Sequence, residues 1–232
     1  AALPSVRNDD IKAYLQWWLG EQKDRSLVPA FENCLLSGSD AVRTEAAWAL
    51  AKTGDASVLP VLARMVADDR DAAVAEQCLK SFPGKVVDAV APYYGNAGVA
   101  GKKAVLSLIG QRAAASSKDI VMKAVSDPDE TVRGAAYDAL ASVVQPADLA
   151  KLYSMLELVS ADYAEPVQKA IIAALNGKSD AEKYQMLKDR SGNASAAVKA
   201  RYWPMIIEVA DIPQTLDIMA QNTADADLSS KA

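Results

Sequence analysis

Reactive chemistry has few places to reside in this chain of 232 residues. Histidine is absent, which removes the usual general base, the Ser-His-Asp and Cys-His nucleophile systems and most zinc sites. The two cysteines, Cys34 and Cys78, lie in apolar helical runs. They read as small buried hydrophobes rather than as a disulfide pair or a nucleophile. Carboxylates gather at Asp68, Asp69 and Asp71, and again at Asp127, Asp129 and Glu130. Turn carboxylates can ligate calcium, but neither run has the spacing of a calcium loop with its glycine and distal glutamate. Helix capping and solvation are the expectation for both. No phosphate-cradling loop accompanies them. The sequence therefore predicts a chain that is not an enzyme and carries no metal or cofactor.

The elements that must position these residues are marked by a recurring valine. Val42, Val74, Val99, Val132, Val167 and Val198 each head a helix-like run. They recur at roughly 25–35 residues, the period of a stacked helical hairpin. An N-terminal helix is expected over 8–19. Six A helices follow over 25–37, 56–67, 85–94, 118–126, 147–160 and 180–190. Each is paired with a B helix, over 41–52, 72–81, 99–110, 130–143, 165–175 and 196–209. The segment Asp24-x-Ser26-Leu27-Val28-Pro29 returns as Asp55-x-Ser57-Val58-Leu59-Pro60, with an acidic or serine cap and a proline tolerated in the first turn. The domain reading is a single array over 1–222. It comprises a capping helix in 1–23, repeats in 24–210 and a last helix in 211–222, with a disordered polar tail over 223–232. Gly95, Gly98 and Gly101 crowd the entry to the third B helix, which makes repeat 3 the expected weak joint.

Composition narrows the partners. Half the residues are apolar, 51%, which is ample for a continuous core. The net charge is −5, which argues against nucleic acid, because duplex binding needs many cations to neutralise phosphates. The small clusters at Lys102-Lys103 and at Lys199 and Arg201 do not form a basic stripe. No apolar run reaches the length of a membrane span. The sequence starts without Met, so a fragment or processed chain is expected. The compartment is unknown, possibly extracytoplasmic and bacterial.

Asp40-x-Val42-Arg43 and Asp129-x-x-Val132-Arg133, with Glu45-Ala46-Ala47-Trp48-Ala49-Leu50 and Gly134-Ala135-Ala136-Tyr137-Asp138-Ala139-Leu140, resemble the HEAT-repeat family. The resemblance covers about residues 24–210. It implies an all-α, right-handed α-α superhelix, a solenoid of about six to seven HEAT-like hairpins whose B helices line a concave, partner-binding face. It also implies a ladder of Asp and Arg between neighbouring repeats. Only Arg43 and Arg133 keep the basic residue in full, Lys199 is a partial match, and Ala75, Ala100 and Gln168 depart. HEAT-type hydroxylases hold iron with histidine, which this chain lacks. HEAT-like glycosylases need a basic groove, an aromatic and a carboxylate, which Trp48, Glu45 and Asp138 mimic only in part. Bilin-lyase relatives share similar short repeats.

Counting each B helix from its valine at about 100° per residue separates a core face from an outward one. The charged, amide or aromatic outward residues are Glu45, Trp48, Glu76, Gln77, Lys80, Lys102, Asp138, Lys169 and Arg201. By the resemblance they line the concave face, and Trp48 is the best-placed anchor. Trp17 and Trp18 are expected to seal the first end of the stack, and Trp203 to lie in the core. The functional expectation is a non-catalytic scaffold for a protein partner. The alternative is a ligand- or carbohydrate-binding accessory module of a larger bacterial protein, and an enzyme such as a bilin-lyase relative is the remote third reading.

Overall fold

A computed structural model describes residues 3–216 of the chain. All regular structure among them is helical. A helix α1 (Asp9–Glu21) precedes six helix pairs: α2 (Val28–Cys34) with α3 (Asp40–Thr53), α4 (Leu59–Val66) with α5 (Ala72–Lys80), α6 (Val86–Val90) with α7 (Val99–Gln111), α8 (Lys118–Ala124) with α9 (Glu130–Val143), α10 (Leu149–Leu158) with α11 (Ala164–Ala174), and α12 (Asp180–Ser191) with α13 (Ala196–Val209). Residues 212–216 are again helical at the edge of the described segment. Most of the expected last helix, and all of the expected tail, lie outside the described residues.

The A helices begin in a repeated way. Asp24 caps a 3-10 turn by accepting from the Ser26 N–H, and Asp55 does the same with Ser57. Pro29 and Pro60 then occupy the first turn of α2 and α4, where an amide donor has no helical partner to lose. Ser39 caps α3 through the Val42 N–H, and Gly54 ends it in the left-handed conformation, which glycine adopts without a Cβ clash.

Two compact units divide the chain, Ala1–Ala139 and Leu140–Ala232, with the cut falling inside α9. In the first unit α1, α3, α5 and α7 stack as a row, each touching the next along the chain. Glycine on alanine sets the close approach. A Cβ on Gly20 would sit 2.9 Å from the Ala49 Cα, and one on Gly110 would sit 3.0 Å from the Ala139 Cα. The A helices lie against this row, α2 on α3, α4 on α5 and α6 on α7. The core is continuous, with Phe31, Val42, Leu50, Leu62, Leu79, Leu106 and Ile109 fully enclosed. Apolar burial of that extent is the dominant favourable term, worth about 1.5–3 kcal/mol per side chain.

The second unit repeats the pattern with α10 on α11, α12 on α13 and α11 on α13. Leu152, Leu156, Val167, Ile171, Leu187 and Tyr202 form its core. Glu157 joins three helices by accepting from Arg190 Nη2 at 2.7 Å and the Tyr202 hydroxyl at 3.2 Å. Burial pushes the Tyr202 phenol up to about 12, so it stays a hydrogen-bond donor.

The sequence register slips in repeat 3. Val99, expected in the core, is 42% exposed, while Gly101, Ala104, Val105 and Leu108 are buried. The core face of α7 therefore starts at Gly101, two residues later than the valine suggested. The three glycines are not equivalent either. A Cβ on Gly101 would meet the Val66 carbonyl oxygen at 2.4 Å, and one on Gly98 would meet Asp69 Oδ2 at 1.9 Å. Two of the three serve close packing rather than looseness; only Gly95 faces open space.

Candidate functional site

The outward faces of α3, α5, α7, α9, α11 and α13 carry the residues expected to bind. In the first unit Glu45 and Trp48 on α3 are both half-buried. The Glu45 carboxylate bears on Cys78: burial first, and this charge second, push the thiol up to about 12. Cys34 is also raised by burial. Both cysteines are free and enclosed, so neither presents a thiolate. On α5, Glu76 takes the Lys80 ammonium at 2.9 Å and the Ser107 hydroxyl of α7 at 2.7 Å, while Gln77 is exposed. Asp138 is exposed on α9 and lines a small hollow of about 210 Å³ with Ser107, Gly110, Gln111 and Ala135.

Two expected binders are occupied structurally. Lys102 is ion-paired to Asp127 at 2.9 Å, and its ammonium stands 5.9 Å from the centre of the Tyr94 ring. Hydrogen bonding to Lys102 holds the Asp127 carboxyl below the usual aspartate range. Arg201 turns its guanidinium back onto the carbonyls of Leu156 and Val159, each at 2.6 Å, at the C-terminal end of α10. Arginines close helix ends elsewhere too. Arg112 serves the carbonyls of Leu79, Lys80 and Phe82 at the end of α5, whereas Arg133 serves those of Asp127 and Pro128 in the turn before α9. The last carbonyls of a helix lack internal partners and carry partial negative charge, so a guanidinium there is stabilising.

The acidic turns are likewise engaged. Asp71 is held by Arg43 and Asp129 caps α9 through the amides of Thr131 and Val132. Asp69 accepts from the Gly101 N–H at 3.1 Å, completing the start of α7 from the preceding repeat. Among the described residues, no group of three or more acidic or thiol side chains is placed to hold a metal ion.

A groove lies in the second unit, between the outward faces of α11 and α13, with a volume of about 620 Å³. Ile172, Ala173, Pro204 and Met205 make its floor, and Glu165, Lys169, Lys183 and Glu208 stand around it. Lys169 is paired with Glu165 at 2.7 Å and Lys183 with Asp180 at 2.9 Å. Pro204 sits inside α13 and has no N–H for the carbonyl four residues back, so it disturbs the helical ladder there. Gln168 of α11 reaches across and donates its side-chain amide to the Arg201 carbonyl at 2.7 Å. Of the expected binders only Lys169 lies here. Of the floor residues, Ala173 and Pro204 stand at outward positions of the valine count and Ile172 and Met205 at its core positions; none carries a charge or a tryptophan ring, and the proline inside a helix is the available signal.

The family model for HEAT repeats matches residues 2–82 and 99–176. The chain belongs to the HEAT-repeat family. No curated protein matches the chain. Among solved structures, the complex of CpcE and CpcF of phycocyanin lyase from Nostoc sp. PCC7120 resembles it, with a TM-score of 0.45 and 19% identity over 90% of this chain and 93% of that chain. A likeness of that depth says nothing about function.

The interruption in the HEAT match, between residues 82 and 99, holds the short α6 and ends where α7, with its slipped register, begins. The HEAT ladder is rewritten there rather than lost. Arg43 is buried, with 1% exposed, and its Nε lies 2.9 Å from Asp71 of the next repeat, while its Nη2 contacts Asp40 and its Nη1 serves the carbonyls of Ser37 and Gly38. Lys102, not Ala100, takes the corresponding role toward Asp127. The aromatic expectations also divide. Trp203 is half-buried while its neighbour Tyr202 fills the core. Trp17 is 43% exposed and Trp18 50% exposed, so the two rings do not close over the end of the stack.

Proposed function

We propose that this HEAT-repeat chain is a non-catalytic scaffold that binds a protein partner along the outward faces of its B helices, with the α11–α13 groove as the principal contact. The groove carries the reading: an open apolar floor rimmed by charges of both signs is the arrangement of a specific protein interface, where apolar anchors supply energy and the charged rim supplies register. Its volume of about 620 Å³ suits side chains of a docked segment. The chemistry of the chain agrees. Histidine is absent, and the carboxylates held below their usual range at Asp24, Asp55, Asp129 and Glu182 are all hydrogen-bonded to the start of a turn or helix. A general acid or base needs the opposite, a free group poised near neutrality.

The test is capture of proteins from the source cells by the immobilised chain, compared across variants. Lys169→Glu and Ile172→Asp are expected to weaken capture of the same partner by about tenfold or more. Leu158→Asp, at an exposed position on the end of the A helix α10, should leave it unchanged. Thermal melts of the variants separate lost binding from lost folding. Equal capture by all of them overturns the reading.

A further inference from the structure

Asn176 and Gly177 form the single Asn-Gly pair of the sequence. They stand in the turn between α11 and α12, and both are exposed. The amides on either side of Gly177 are held by the backbone. The Asn176 N–H donates to the Ala173 carbonyl, and the Lys178 N–H to that of Leu175. The Gly177 N–H instead donates to the side-chain carbonyl oxygen of Asn176, at 3.0 Å. Gly177 has a φ of +90°, and nothing lies within 4 Å of where its Cβ would stand. A Cβ would shield the neighbouring amide nitrogen; glycine leaves it open.

A nitrogen held beside a carbonyl of its own chain is the starting geometry of an intramolecular acyl transfer. Rotation about the Asn176 Cβ–Cγ bond presents the face of that carbonyl to the Gly177 nitrogen. The nitrogen gives its proton to solvent base, its electron pair forms a bond to Cγ, and the side-chain nitrogen leaves as ammonia. A cyclic imide results. Water then opens the ring. Cleavage between Cγ and the Gly177 nitrogen leaves aspartate in an ordinary main chain. Cleavage between the residue 176 main-chain carbonyl carbon and that nitrogen leaves isoaspartate, with the main chain running through Cβ and Cγ. We propose that Asn176 is a self-modifying site, converted through an imide with Gly177 into aspartate and isoaspartate, with water as the co-reactant. The product bears on the fold. A carboxylate at residue 176 follows the C-terminal end of α11, where the helix dipole repels negative charge. The isoaspartyl form also lengthens the chain just ahead of the Ser179 cap of α12. Asn176 lines the α11–α13 groove, but this chemistry does not rest on the function assigned to that groove.

Incubation of the purified chain in mildly alkaline buffer, then digestion after lysine and mass spectrometry, tests this. The peptide 170–178 should give two products, aspartyl and isoaspartyl, each heavier by the exchange of NH2 for OH. Hydroxylamine present during the incubation should cut the chain between residues 176 and 177. Asn193 is an internal control, exposed in a turn but followed by alanine, and should convert about tenfold more slowly. The folded chain should convert residue 176 within about threefold of the guanidinium-unfolded chain, because the fold leaves the reacting pair free to meet. Asn176→Gln, whose longer side chain closes a larger ring, should give neither product. An unchanged 170–178 peptide overturns the proposal, as does conversion no faster than at Asn193. So does aspartate without isoaspartate, or a folded chain protected about tenfold or more relative to the unfolded one.

Discussion

Arg43 is the residue on which the turn between the first two helix pairs depends. Its guanidinium is enclosed and meets two carboxylates and two carbonyls. Replacing it by alanine leaves Asp71, itself buried, with only the half-exposed Arg70 guanidinium at 3.5 Å in place of its close pair. Breaking a buried pair from one side costs about 3–5 kcal/mol, so Arg43→Ala should lower the denaturant midpoint by a corresponding amount. The double variant Arg43→Met with Asp71→Leu should recover part of the loss, because replacing both partners by apolar groups removes the uncompensated charge. Chemical denaturation followed by circular dichroism measures both. Arg133, which holds only two carbonyls, should cost about 1–2 kcal/mol on truncation to alanine. The sequence carried the difference only in part. Asp40-x-Val42-Arg43 pointed to a ladder, but which arginine is enclosed depends on where the next repeat places its aspartate, and no local pattern states that.

At the scale of single helices, two glycines separate what spacing can and cannot reveal. Gly134 lies inside α9 with nothing near its missing Cβ. Gly134→Ala should raise stability by about 0.5–1 kcal/mol, the ordinary helix-interior difference. Gly101 lies inside α7 against a backbone carbonyl of α4. Gly101→Ala should lower stability by about 1–3 kcal/mol, since a backbone neighbour cannot step aside. Thermal or denaturant melts of the two variants should move in opposite directions. Helix existence was legible throughout: α9 and α13 run over the residues that the valine register predicted, because the apolar period and the caps agreed there. The register of α7 was not legible. A valine is the expected head of the run, yet the close approach of Val66 in α4 demands a glycine two positions later, and this contact between residues 66 and 101 overrode the local signal.

For the whole molecule, acid is the condition that tests the caps and ion pairs together. Hydrogen bonds from Ser26, Ser57, Thr131 and Ser179 hold Asp24, Asp55, Asp129 and Glu182 below their usual range, and Lys102 does so for Asp127. A carboxylate whose folded value lies below its unfolded value contributes stability that is fully present above the unfolded value and is lost as pH falls through the folded one. The melting temperature should therefore be level above about pH 5 and fall progressively below about pH 4. A curve that is flat to pH 3, or that falls first on the alkaline side, contradicts this assignment. The candidate site was less legible than the fold at this scale. Charge and tryptophan pointed to residues that the structure uses internally, Lys102 and Arg201 among them. The groove instead rests on Ile172 and Met205, which the valine count places in the core, and on Ala173 and Pro204, which it places outward but which carry no charge or aromatic ring.

The carboxylate of Asp69 that starts α7 from the neighbouring repeat bears on how such an array can be edited. Duplication of repeats works when each unit brings its own beginning and end. Here the helix opening at Gly98 has no side-chain cap of its own, and the acceptor belongs to the unit before it. The third unit is therefore not a transferable brick. Any shuffling, deletion or splice that moves α7 must carry the turn bearing Asp69 with it, so the natural seams of this chain lie elsewhere, at units such as α12, where Ser179 and Glu182 close the helix start from within.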